Sequence, residues 1–287
     1  MKTLLMLVLV VCSAVCARGD TAIGTAISKI PYVITKPGKY RLAKSLTLTT
    51  GTTAGIVVKA SQVVIDFNGY TLAATGLANI ATNIAVDVQD ADYVTIRNGT
   101  IVGFGMAISC LNNGVGKADA LLVEDMTCDA QVDTGVLSAA MFLVGEQITV
   151  RRCRIMNSGT GETTSGGIYC QNSATIEDCS VSGLRSFNTT NLAAFRPGDG
   201  PGDGLYSIVL KNCSVSNLTT GGQKIGVRAG SDNTVVDGCS FYGLSQVFIP
   251  AGSGYITVKN SSIRASGSTP FTTFGNVKDG GNNTVAP

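Results

Sequence analysis

The alternation of apolar and polar positions along the chain repeats one short phrase. Val63-Val64-Ile65-Asp66, Val94-Thr95-Ile96-Arg97, Leu121-Leu122-Val123-Glu124, Ile148-Thr149-Val150-Arg151, Ala174-Thr175-Ile176-Glu177, Ile208-Val209-Leu210-Lys211, Thr234-Val235-Val236-Asp237 and Ile256-Thr257-Val258-Lys259 are all short β-type runs closing on a charge. Period-two patterning in Val, Ile and Thr predicts strands with one buried face. The closing charges are separated by 31, 27, 27, 26, 34, 26 and 22 residues. That period is too long for heptads and too irregular for stacked helical pairs, and it suits a β-coil whose loops vary in length. A second strand family precedes the first, in Ile56-Val57-Val58-Lys59, Ile84-Ala85-Val86-Asp87, Ala107-Ile108-Ser109-Cys110, Gly167-Ile168-Tyr169-Cys170 and Ile225-Gly226-Val227-Arg228. The pattern therefore predicts three short strands per coil and about eight core coils, with successive coils about 4.8 Å apart and equivalent side chains stacked.

Behind each closing charge stands a residue that tolerates left-handed backbone: Asn98, Asp125, Asp178, Asn212, Gly238 and Asn260, with Arg152 the exception. This column predicts a tight corner. The first copy, Asp66-Phe67-Asn68-Gly69, carries one extra residue before its Asn, read as a local bulge. The following column, Gly99, Met126, Cys153, Cys179, Cys213, Cys239 and Ser261, is small or apolar. Two positions later Ile101, Cys128, Ile155, Val181, Val215, Phe241 and Ile263 should stack as the interior.

The closing charges alternate in sign without a miss: Asp66, Arg97, Glu124, Arg151, Glu177, Lys211, Asp237, Lys259. Stacked on neighbouring coils, each would have opposite charges above and below, and a slipped register would set like charges together. Side chains paired on both sides are poor free bases, so this column reads as structural.

The 287 residues include 21 Lys+Arg, 19 Asp+Glu and no His, a formal charge of +2. Such a balance argues against an electrostatic nucleic-acid binder, and the missing imidazole excludes every His-dependent mechanism. Lys2 followed by the apolar run Leu4 to Val11 and the small residues before Ala17 reads as a signal peptide over 1–17, so the mature protein is expected to be secreted, periplasmic or at the cell surface, with no membrane span. Residues 18–54 are expected to form an N-terminal cap and first strands, 55–265 the solenoid and 266–287 a C-terminal cap. Of seven mature cysteines, Cys153, Cys179, Cys213 and Cys239 share one inward column, where buried stacked thiols are expected and disulfides between neighbours are the alternative.

The stretches Ile34-Thr35-Lys36-Pro37-Gly38-Lys39-Tyr40-Arg41-Leu42, Val63 to Leu72 and Val94 to Ile101 resemble the opening coils of secreted right-handed β-helix repeat proteins. The resemblance, to the pectin-lyase-like superfamily, covers nearly the whole mature chain. It implies an all-β, single-stranded right-handed parallel β-helix and an acidic polysaccharide as partner. Fold alone carries no activity, however. The hydrolase members of the superfamily use a Gly-His-Gly beside clustered Asp, which a chain without His lacks. No lyase motif matches residue by residue.

Two regions carry candidate chemistry. The longest insertion, 183–204, holds Asp199 and Asp203 in a Gly-rich turn as oxygen ligands for calcium, with Arg185 and Arg196 to hold a carboxylate or act as base in a β-elimination. The outward column of the second strand family, Lys59, Asp87, Ser109, Tyr169 and Arg228, offers polar and aromatic groups to a sugar. Two functions follow: an exported β-helix that binds and cleaves an acidic polysaccharide by lyase chemistry, or a non-catalytic structural or binding β-helix. The sequons Asn98-Gly99-Thr100, Asn212-Cys213-Ser214 and Asn260-Ser261-Ser262 are better explained by the corner column than as glycan acceptors.

Overall fold

The computed structural model describes residues 24–49, 54–75, 83–110, 119–129, 132–133, 139–160, 164–186, 191–198, 207–230, 233–250, 255–265 and 276–286. Every strand pairing among them is parallel, and the strands stack into an all-β solenoid of about seven turns. That is one turn fewer than the about eight coils expected from the charged column. The expected signal segment, 1–17, lies outside the described residues, as do Asp199 and Asp203. No helix among the described residues is long and apolar enough to cross a membrane.

Three sheets run along the solenoid. A 19-stranded sheet contains both the charge-closing strands and the strands after the corner, joined because Val94–Val102 and Leu122–Asp129 pass through the corner unbroken. A nine-stranded sheet carries the second family. The third, among the described residues, holds Val132–Asp133, Gly159–Thr160 and Arg185–Ser186. Coiling also starts upstream of residue 55: Tyr32–Ile34 pairs with Ala54–Val58, Gly38–Leu42 with Val63–Asp66, and Leu46–Leu48 with Thr71–Ala74. At the other end Val277–Asp279 and Thr284–Ala286 add a further rung to the 19-stranded sheet.

The predicted register is present rung by rung. Asp66 pairs with Arg97, Arg97 with Glu124, Glu124 with Arg151, Arg151 with Glu177, Glu177 with Lys211, Lys211 with Asp237 and Asp237 with Lys259. Arg41, opposite Asp66, extends the alternation by one rung. Ion pairs close at 3.0 Å between Arg97 and Asp66, 2.7 Å between Arg151 and Glu124, and 3.2 Å between Lys259 and Asp237. Exposed pairs contribute at most about 1 kcal/mol each. Their larger effect is on register, since a one-rung slip would set like charges together.

Left-handed backbone marks the corner, with φ of 60° at Asn98, 53° at Asp125, 52° at Arg152, 53° at Asp178, 52° at Asn212, 66° at Gly238 and 51° at Asn260. Arg152 thus takes the corner geometry despite its type. Its guanidinium is held by Asp125 at 2.7 Å and Glu124 at 2.9 Å, which offsets the cost of a left-handed non-glycine. The asparagines bond down the column: Asn98, Asn212 and Asn260 donate from Nδ2 to carboxylates of Asp66, Asp178 and Asp237 on the preceding coil. The three sequons are accordingly a by-product of stacking, because a corner Asn is followed two residues on by an outward Ser or Thr. In the first copy the Phe67 N–H bonds to the Arg97 carbonyl at 2.9 Å, the bond a corner residue makes elsewhere, but Asp66 faces Arg97 while Thr71 faces Thr100, so this corner carries two extra residues rather than the one expected.

Inside, the expected column is buried at every rung from Ile101 to Ile263. The cysteine column is buried and reduced: the seven cysteines among the described residues are free thiols. The thiols work as a hydrogen-bond ladder. Cys179 Sγ donates to the Glu177 carbonyl at 3.2 Å, and Cys213 Sγ to that of Lys211 at 3.3 Å. The N–H of Cys213 donates to Cys239 Sγ at 3.4 Å, that of Cys239 to Ser261 Oγ at 3.1 Å, and that of Ser261 to Asn283 Oδ1 at 2.9 Å. Thiol, hydroxyl and amide perform one task, satisfying a backbone donor that the corner turns out of the sheet.

Candidate functional site

The nine-stranded sheet carries the most distinctive outward surface. Its strands share a local triplet of a small residue, an inward apolar residue and an outward side chain: Ala85-Val86-Asp87, Ala107-Ile108-Ser109, Ala140-Met141-Phe142, Gly167-Ile168-Tyr169, Ala194-Phe195-Arg196 and Gly226-Val227-Arg228. The first position must be small. A Cβ on Gly167 would lie 2.8 Å from the Ala194 carbonyl oxygen, and one on Gly226 would lie 2.8 Å from the Phe241 ring. The second position fills the interior, and the third is forced outward by the pleat.

Register then assembles the outward column. Asp87 pairs with Ser109, Ser109 with Phe142, Phe142 with Tyr169 and Tyr169 with Arg196. One residue beyond the Phe195–Val227 pair, Arg228 follows Arg196 on the next coil. This corrects the sequence alignment at two places. Lys59 is not in the column: Val57 faces Asp87, and Lys59 stands two positions further on. The slip arose because Ile84 aligns with Ala54 rather than with Ile56. Arg196, expected in a loop, is on strand Asn191–Pro197.

Tyr169 does not offer a face to a sugar. It is 8% exposed, one side stacked on Phe142 with centroids 4.3 Å apart at 14°, the other covered by the Arg196 guanidinium at 5.2 Å. Ala139, Phe142 and Tyr169, with Met106 and Val144 against them, form an apolar cluster outside the solenoid core. Gly198 closes over this cluster, where a Cβ would meet the Tyr169 hydroxyl at 2.6 Å. The aromatic pair therefore acts as a mount that fixes Arg196, which is partly exposed beside the partly exposed Arg228.

The opposite end of the column is acidic. Asp87 is partly buried, and burial holds its carboxyl above the ordinary range, opposed by a hydrogen bond from Gln89 and by the charge of Lys59. Gln89 Nε2 donates to Asp87 Oδ2 at 2.5 Å. Ser109, 1% exposed, has an Oγ with no hydrogen-bond partner.

The remaining predicted residues are not gathered here. Arg185 is exposed on the three-stranded sheet, where it pairs with Gly159, whereas Arg196 stands on the nine-stranded sheet. Its backbone N–H donates to the Ser158 carbonyl at 2.8 Å. Among the described residues no group of three or more Cys, Asp or Glu converges to hold a metal. Phe142 and Gln89 were missed from sequence. The small-apolar-outward triplet was the signal that would have placed Phe142, but it is masked in an all-apolar run, Ala139–Val144.

No protein-family model matches the chain, and neither a curated protein nor a solved structure is significantly similar to it. What the fold defines is the class, a parallel β-solenoid.

Proposed function

We propose that this solenoid is an exported, right-handed, pectin-lyase-like β-helix that binds an acidic polysaccharide along the outer face of its nine-stranded sheet. The observation that carries this reading is Arg196, mounted on the Phe142–Tyr169 stack with Arg228 on the next coil. Guanidinium groups pair with carboxylates or sulfates in two parallel hydrogen bonds, and a fixed guanidinium loses less rotamer freedom on binding. Two of them about 4.8 Å apart along the axis suit an extended polyanion lying parallel to it. The net charge of +2 adds little long-range attraction, so affinity would come from these contacts.

Cleavage would need a base and a means of neutralising the uronate. Arg185 and Arg196, the two candidates for base, stand on different sheets. Calcium at Asp199 and Asp203 would be the remaining requirement. Binding is therefore the reading favoured here, and lyase chemistry is an outcome of its test.

Affinity electrophoresis through pectate, alginate and a glycosaminoglycan, with and without calcium, tests the proposal. Wild-type protein should be retarded by at least one polyanion. Arg196→Ala and Arg228→Ala should each weaken that retardation about tenfold, with Arg185→Ala unchanged. No retardation on any polyanion would overturn the reading. Ultraviolet absorbance of the same mixtures would rise if elimination produced an unsaturated uronate, converting the binding protein to a lyase.

A further inference from the structure

We infer that Asp87 and Ser109 form a hydroxyl-recognition subsite on this same face, so that a bound saccharide lies along the solenoid with an uncharged hydroxyl over this pair and acidic groups over Arg196 and Arg228. The inference rests on the polysaccharide reading above and adds a direction to it.

Ser109 pairs with Asp87 on one side and with Phe142 on the other, both in the outward column, so its hydroxyl is aimed at the outer face rather than at the core. There it is 1% exposed, and Oγ meets no donor or acceptor. A buried orphan hydroxyl is destabilising, and one retained in a strand whose column neighbours include Phe142 and Tyr169 calls for a partner. Asp87 is partly exposed, so the carboxylate is the member of the pair that reaches the surface, while Ser109 Oγ lies closed beneath it.

The donor and acceptor set selects the ligand group. An ionised carboxylate only accepts, whereas a serine hydroxyl both donates and accepts. A sugar hydroxyl placed between them donates to Asp87 and accepts from Ser109, and both are satisfied by one group. An anion would be repelled by Asp87. A metal cation would find one carboxylate already engaged by Gln89 and opposed by Lys59. Asp87 and Arg196 are four strand steps apart, about 19 Å at the usual strand spacing. Only a ligand long enough to span that distance engages both ends.

Calorimetric titration with short and long oligogalacturonates tests this on wild-type protein and on Arg196→Ala, Asp87→Asn and Ser109→Ala. Asp87→Asn and Ser109→Ala should weaken the long oligomer about tenfold and leave the short one unchanged, while Arg196→Ala weakens both. Ligand-free Ser109→Ala should also melt roughly 2–4 °C higher, since it deletes an orphan group; a merely structural role would lower the melting temperature. If Asp87→Asn and Ser109→Ala bind the long oligomer as wild type does, or weaken both lengths alike, the subsite is overturned while the loss in Arg196→Ala keeps the binding reading. If wild type binds neither length, the reading falls and takes the subsite with it.

Discussion

Phe67 and Gly99 occupy one another's space: a Cβ on Gly99 would lie 2.1 Å from Phe67 Cβ and 2.7 Å from its Cγ. Phe67 reaches inward at the first corner, is fully buried, and fills the room that a side chain at Gly99 would need. The bulge of one coil thus dictates the composition of the next.

Gly99→Ala should therefore destabilise by roughly 1–3 kcal/mol through overpacking, read as a lower urea midpoint at unchanged m. Adding Phe67→Gly, which removes the clashing Cβ as well as the ring, should cost less in the Gly99→Ala background than in wild type, because the two share one volume. Additive losses would show that the close approach carries no energy.

The alternating column makes a prediction about sign. Arg151→Glu replaces two attractive neighbours, Glu124 and Glu177, with two repulsive ones. A loss of about 1–2 kcal/mol is expected at low salt, shrinking as salt screens the column. Arg151→Gln should lose less than Arg151→Glu. Equal losses in both variants, independent of salt, would point to packing rather than charge.

In the thiol column, chemistry and stability are separable. Hydrogen bonding with Cys153 and burial push the Cys179 thiol up to about 12, and the bond with Cys179 together with burial pushes Cys213 up to about 12. Native protein should leave the seven described cysteines unreactive toward a thiol reagent at pH 8, with reaction following unfolding. Cys239→Ser keeps an acceptor for the Cys213 N–H, as Ser261 does one coil later, whereas Cys239→Ala leaves that donor orphaned. The alanine variant should be less stable than the serine variant by about 1–3 kcal/mol in denaturant titrations. The reverse order would show that the column is held by apolar packing alone.

Acid sensitivity follows from the corners. The hydrogen bond from Arg152 holds Asp125 below the ordinary carboxylate range, and that from Asn260 does the same for Asp237. A depressed folded pKa stabilises fully above the unfolded value, about 3.9, and the contribution is lost as pH falls through the folded value. The urea midpoint should therefore drop below about pH 4, and Asp125→Asn with Asp237→Asn should flatten that limb. An identical acid limb in the double variant would assign the transition to other carboxylates.

The repeat, the charged register, the left-handed corner and the buried thiol column were all legible in sequence, because each is a local rule repeated with an identifiable residue type. A second left-handed column, Gln62, Tyr93, Ala120 and Gln147, was not, although their φ values are 58°, 55°, 54° and 57°. These residue types carry no turn signature. Their geometry is imposed by the next coil, whose carbonyls take the N–H groups of Gln62, Tyr93 and Ala120 at 2.8–2.9 Å.

The candidate site divides the same way. Asp87, Tyr169, Arg196 and Arg228 could be named from residue type, since sequence alone shows which side chains are able to bind a saccharide. Their arrangement could not. Lys59 fell out of the column and Arg196 entered it because register is settled by pairing with neighbouring coils rather than by the strand's own alternation. Burial of Tyr169 and isolation of Ser109 likewise depend on what packs over the sheet. Sequence determined this solenoid because its repeats are local, whereas the exposed or covered state of each outward side chain was decided only when the coils were stacked.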